Sequence, residues 1–155
     1  MEHATYLKEI VAAYQGEVRG EATFSTLAEH VSNEDEREIW RTLSRLESTT
    51  RQRLLPLLNR YGLDTTPDPE QRRLGQERGR ARAAAGFAAT IKSMTENLRP
   101  YLTLYAQLEA EGPAGDRREL EMLNAHEIAL HEFAVRALAG GEQDALAPVR
   151  AFLNK

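Results

Sequence analysis

The apolar residues of this sequence recur at helical spacing and nowhere alternate as a strand would. In the first segment Leu7, Ile10, Tyr14, Glu17, Glu21, Phe24, Ala28 and Val31 fall on one stripe, three or four residues apart. A stripe of that period is buried against other helices. Glu17 and Glu21 interrupt it. A lone charge in such an interface costs several kcal/mol unless it is paired, hydrogen-bonded or bound to a metal. The stripe therefore predicts an all-α protein with a polar site inside its bundle.

Taken in order, the spacing predicts a first helix from His3 to Val31 and, after a turn at Ser32–Asp35, a second from Asp35 to Tyr61. The second stripe runs Trp40, Leu43, Glu47, Thr50, Leu54, Leu57 and Tyr61, again with a carboxylate on the seam. Pro56 is expected to kink or tighten its last turn, and Gly62 to end it. Leu63 to about Gly79 reads as a long irregular connection, rich in Pro, Gly and Arg. A third helix is expected from Ala81 to Ala110, kinked at Pro100, and a fourth from Asp116 to Ala139, stopped by Gly140-Gly141. A short fifth helix, Gln143 to Leu153, offers Leu146, Val149, Phe152 and Leu153 as a docking face. A long connection between the second and third helices is the connectivity of ferritin-like four-helix bundles. The 155 residues are read as one such domain.

Composition narrows the chemistry. The chain has no cysteine, which excludes disulfides, thiolate metal sites, iron–sulfur clusters and cysteine nucleophiles. A net charge of −4 gives no reason to expect nucleic acid or an acidic membrane as partner. No apolar run approaches the length of a membrane span, and the acidic, amphipathic start is unlike a signal peptide, so a cytoplasmic protein is expected. Gly75 and Gly79 lack the strand and lysine of a phosphate loop, no Gly-x-Ser-x-Gly elbow occurs, and His126 and His131 are one residue too far apart for a zinc-protease pair. Phe24, Trp40, Phe87, Tyr105 and Phe133 are taken as core packing.

Glu17, Glu21, Glu47 and Glu127 lie on or beside apolar stripes, and His126 flanks one. Carboxylate oxygen and imidazole nitrogen suit iron, manganese or zinc. The same residues also admit a metal-free reading. In it Glu17 and Glu47 pair with Arg19, Arg51 or Arg53 or accept from Tyr14 and Tyr61, Glu21 lies at the exposed edge, and His126 is a satisfied core histidine.

The run Gly16-Glu17-x-x-Gly20-x-x-x-Phe24-x-x-Leu27-Ala28 resembles the first helix of rubrerythrin and other ferritin-like proteins. The resemblance implies a di-iron or di-manganese centre with Glu17 as a terminal ligand. The second helix of that family carries Glu-x-x-His; here Glu47 matches and Thr50 replaces the histidine. Glu96 is the nearest match to the third-helix glutamate, though its phase points it off the stripe. In the fourth helix His126 and the trailing Glu127 match, while Leu123 replaces the ligand glutamate. Glu17, Glu47 and His126 then make a set for one metal with open positions; a shifted set of Glu21, Glu127 and His131 is the alternative.

Two functions of different class follow as expectations. One is an iron- or manganese-binding protein of redox chemistry or metal handling, held by Glu17, Glu47 and His126 with Glu21 and Glu127 as secondary candidates. The other is a degenerate, metal-free bundle acting as an interaction module. A homodimer is expected in either case. Separately, Arg72, Arg73 and Arg78 suggest an anion-binding connection, with no interleaved aromatic to stack on bases.

Overall fold

The computed structural model describes residues 1–140 and 144–155. Among the described residues the chain forms seven α-helices and one 3-10 turn, without strands. Helices α1 (His3–His30) and α2 (Glu34–Arg60) make a hairpin. Its connector is short because Asn33 caps α2 at once, accepting from the Glu36 N–H at 2.9 Å. Glu34, Asp35 and Glu36 then lie at the positive end of the helix dipole. The hairpin is antiparallel: Ser25 meets Ser44 at 2.8 Å, and Glu21 meets Arg51 at 3.2 Å.

The expected irregular connection is mostly helix. Only the residues between Arg60 and Pro69 are non-helical, and α3 spans Pro69–Ala85. Asp68 caps it by accepting from the Glu70 N–H at 2.9 Å, and Pro69 occupies its first turn, where a missing N–H costs nothing. Gly75 and Gly79 do not break α3; they let it lie against α1. A Cβ on Gly75 would stand 2.3 Å from the Arg19 carbonyl oxygen, and one on Gly79 2.7 Å from that of Thr23. The order of these contacts makes α3 parallel to α1.

The single helix expected from Ala81 to Ala110 is three pieces: the end of α3, then α4 (Phe87–Asn97) and α5 (Arg99–Glu111). Gly86, at φ 97°, provides a backbone turn that L side chains rarely adopt. The kink expected at Pro100 is a full helix boundary at Leu98, because proline lacks the N–H needed to continue the ladder. After a turn at Ala114–Asp116, α6 spans Arg117–Ala139 and ends on Gly140 at φ 64°. The last helix, α7, begins at Ala147 rather than Gln143; Gly141 and Gln143 lie outside the described residues.

Asp116 sets the register of the bundle. It is fully buried and accepts from the hydroxyls of Tyr6 and Tyr61, each at 2.7 Å, and it pairs with Arg60. Arg60 also reaches Glu119 at 3.0 Å. This network ties the start of α6 to the start of α1 and the end of α2. At about 1.5 Å per residue, Glu17, Glu47 and His126 then stand at one level, about 15–20 Å further along.

The apolar core is divided at that level. One cluster surrounds Trp40, with Phe24, Leu43, Met94, Leu130 and Phe133. The other contains Ile10, Tyr14, Leu54, Leu57, Leu108 and Leu123. Full burial of each such side chain contributes about 1.5–3 kcal/mol. α7 docks Val149 and Phe152 onto the Trp40 cluster.

Candidate metal centre

Between the two apolar clusters lies a buried polar layer of Glu17, Glu47, Thr50, His126 and Glu127. α1 brings Glu17, α2 brings Glu47, and α6 brings both His126 and Glu127. The Nε2 atom of His126 stands 2.8 Å from Glu47 Oε2 and 3.3 Å from Glu17 Oε2. Its Nδ1 is 3.7 Å from Glu127. Gly20 makes the layer possible: a Cβ there would stand 2.9 Å from Glu47 Oε1.

The carboxylates differ in their hold on a proton. Burial, and then the adjacent charge of Glu47, hold the Glu17 carboxyl well above its ordinary value. Burial also opposes the charge on Glu47, but His126 outweighs it, and Glu47 titrates below the usual range. His126 is disfavoured as a cation by burial, yet Glu47 and Glu127 raise it overall. Burial pushes Glu127 up to about 7, against the pull of His126. The layer thus reads as a protonated Glu17 beside a Glu47–His126 ion pair.

Glu17, Glu47 and His126 could hold a metal ion: one ligand atom from each lies within 4.8 Å of the others. Ligands about 2.1 Å from an octahedral ion stand about 3 Å apart, which the observed separations bracket. Glu17 Oε2, His126 Nδ1 and Glu127 Oε1 are buried without a hydrogen-bond partner. Native structures rarely leave such atoms unused, and Glu17 Oε2 is one of the atoms that faces the shared centre. The donor set is all oxygen and nitrogen, which suits a hard or borderline divalent cation.

Of the expected site residues, Glu17, Glu47 and His126 converge and Glu127 adjoins them. Glu21 does not: it is half-exposed and paired with Arg51 at 3.2 Å, so it is no part of this set. The shifted set of Glu21, Glu127 and His131 is not assembled, and Glu96 is exposed on α4. Nor do the expected structural partners meet the carboxylates. Tyr14 donates to the Thr65 carbonyl, Tyr61 to Asp116, Arg19 to Gln71 and Arg53 to the Phe152 carbonyl. Histidine takes the place that the metal-free reading gave to arginine.

A cavity of about 90 Å³ opens onto the layer. That exceeds the roughly 10–15 Å³ needed for one water. Tyr105 lines it and is buried, and burial together with Glu17 and Glu127 holds its phenol well above the ordinary value. Tyr105 packs in the core, as its place on the apolar stripe predicts, and its exposure to this cavity carries no signal in the sequence. Asp116 was also missed, as a turn residue; only its position at a helix start hinted at more.

No protein-family model matches the chain, and no curated protein or solved structure matches it.

Proposed function

We propose that this chain is a ferritin-like metalloprotein that binds one Fe(II) or Mn(II) through Glu17, Glu47 and His126. The observation that carries the reading is the convergence of two carboxylates and one imidazole from three helices in a buried layer. Helix directions support the ferritin-like part. α1 and α2 are antiparallel, α6 starts beside the start of α1, and α5 runs back along α6, as the Asn124–Glu109 hydrogen bond and the Gly112–Leu120 approach indicate. The connection through α3 then joins α2 to the α4–α5 limb, which runs the same way as α2.

The residues act in distinct ways. Glu47 and His126 hold each other in the ligating orientation, with Nε2 turned inward. Glu127 stands 3.7 Å from the other ring nitrogen, beyond hydrogen-bond distance; drawn closer, it would orient the imidazole as an outer carboxylate does. Glu17 gives up its proton when it ligates. Three protein ligands would not fill the coordination of such an ion, and all three line the cavity. Such an ion supplies redox chemistry or Lewis acidity. Leu123 and Thr50, both fully buried, fill the positions where a second ion's ligands would come from, so the reading is of one metal per chain.

The Glu47–His126 pair also satisfies two of these groups without a metal. That observation favours a second reading, a metal-free bundle acting as an interaction module. Ile128, Val135 and Leu138 on the outer side of α6 are its candidate contact surface, including for a homodimer.

The test is metal content by mass spectrometry after expression with iron and manganese in the medium. About one ion per chain, lost in Glu47→Ala and His126→Ala, supports the metalloprotein. No ion, even after anaerobic Fe(II) addition, overturns it in favour of the interaction module.

A further inference from the structure

The cavity above the polar layer has a second chemistry at its mouth. Arg78 and Arg82 on α3 line it together with Arg19 on α1. Gly75 and Gly79 put them there. Residues three and four apart share a helix face, so the side of α3 that its glycines press onto α1 also carries Arg78 and Arg82.

Arg19 is occupied, donating to Gln71 at 3.1 Å. Arg78 and Arg82 are not: among the described residues, no carboxylate comes within ion-pair distance of either. A cationic neighbour acts on each, and Tyr101 acts in the opposite direction on Arg78. Burial, then Arg19, lowers Arg78; burial, then Arg78, lowers Arg82 to about 10, so both remain charged at neutral pH. Elsewhere on the same helix Arg73 is clasped between Glu70 and Glu77, at 2.6 and 2.9 Å. Arg72 and Arg80, exposed on the same helix, make no ion pair among the described residues either, so what sets Arg78 and Arg82 apart is that both line the cavity.

Much of the remaining lining is an apolar wall of Phe24, Met94, Leu98 and Leu130, beside Thr23, Asn97 and Tyr101. A phosphate ion would strand that wall against water or leave it unfilled. A guanidinium fork matches a carboxylate in two parallel hydrogen bonds. We infer that the cavity binds a small organic carboxylate, with its head on Arg78 and Arg82 and its apolar body between Phe24, Met94 and Leu130. The site shares its cavity with the proposed metal centre. It rests on that reading only for what the inner end of the ligand meets. Of the three arginines expected to bind an anion, Arg78 lines this cavity and Arg72 and Arg73 do not.

The experiment is calorimetric titration of hexanoate, hexanol and inorganic phosphate into the full chain, first stripped of metal by chelator and then loaded with Mn(II). Hexanoate is expected to bind, and to bind at least about tenfold better than either comparison. The Arg78→Gln/Arg82→Gln variant is expected to lose about tenfold to a hundredfold in hexanoate affinity. Both positions are on the surface of α3, and an unchanged melting temperature verifies the fold. Hexanol binding as well as hexanoate, phosphate binding better, or full hexanoate affinity in the arginine variant would each overturn the inference. Glu17→Gln/Glu47→Gln separates the two proposals. It is expected to take up no Mn(II) by mass spectrometry while keeping hexanoate binding to the stripped protein. A wild-type chain that binds hexanoate but no metal therefore sinks the metal reading alone.

Discussion

Glu47 Oε2 and His126 Nε2 face each other at 2.8 Å in the interior, joining α2 to α6 across 79 positions of sequence. Each is nearly inaccessible to solvent. Removing one partner leaves the other charge buried and unpaired, whereas removing both does not. Glu47→Leu in the metal-free protein is therefore expected to lose about 3 kcal/mol. Glu47→Leu/His126→Leu is expected to recover most of that loss. Urea unfolding of the set decides it; a single variant as stable as wild type would show that the pair is worth nothing.

The proton on Glu127 makes stability depend on pH. Its folded pKa is raised to about 7, mainly by burial. Below about pH 4.3 the carboxyl is protonated folded and unfolded alike, and its contribution is fully present. As pH rises through the folded value, that contribution is lost, about 3 kcal/mol in all. Glu17 and His126, also raised, act in the same direction. Glu47, which is lowered, acts oppositely, and its contribution is lost as pH falls below the ordinary carboxylate range. Glu127→Gln is expected to flatten the decline between about pH 4.3 and 7 and to be the more stable protein at pH 8. Thermal melts of both proteins across that window measure it.

Gly20 allows metal affinity to be changed separately from the fold. The Cβ of Gly20→Ala would press on the end of the Glu47 side chain, which can swing aside. Alanine also favours the helix by about 1 kcal/mol over glycine. That gain offsets what the displaced Glu47 loses against His126, so the variant is expected to melt close to wild type but to bind Mn(II) about 10–100-fold more weakly. Melting temperature and equilibrium dialysis read the two effects apart.

Gly75 is the opposite case. The Cβ of Gly75→Ala would meet the Arg19 carbonyl oxygen and the Ala22 methyl, backbone and short side chain that cannot swing away. Here crowding exceeds the gain in helix propensity, and a net loss of about 1–2 kcal/mol is expected. Because α3 carries Arg78 and Arg82, hexanoate affinity should fall too. An alanine variant as stable as wild type would mean that α3 does not lie this close to α1.

The carboxylates were legible because burial is written in periodicity. Glu17 and Glu47 sit where an apolar residue belongs, and such positions call for a partner. Glu21 occupied the same stripe and was still misplaced. A heptad count drifts by about 20° per repeat from a straight helix, and no count of spacing within α1 shows Arg51 waiting on α2. α3 was lost for another reason. Asp68-Pro69-Glu70 is a helix start, but Gly75 and Gly79 weigh against a helix unless another backbone lies against them, which only the folded chain reveals. Asp116 depends wholly on remote residues, Tyr6, Arg60 and Tyr61, and had no local signature.

The boundary at Leu98 gives the bundle an uneven stiffness. α1, α2 and α6 pass the polar layer as continuous rods, while the wall formed by α4 and α5 is jointed. Asn97, Leu98 and Tyr101, at that joint, line the cavity. Every other helix that lines the chamber is unbroken there, so the seam between these two short leaves, α4 and α5, is where opening it takes the least work.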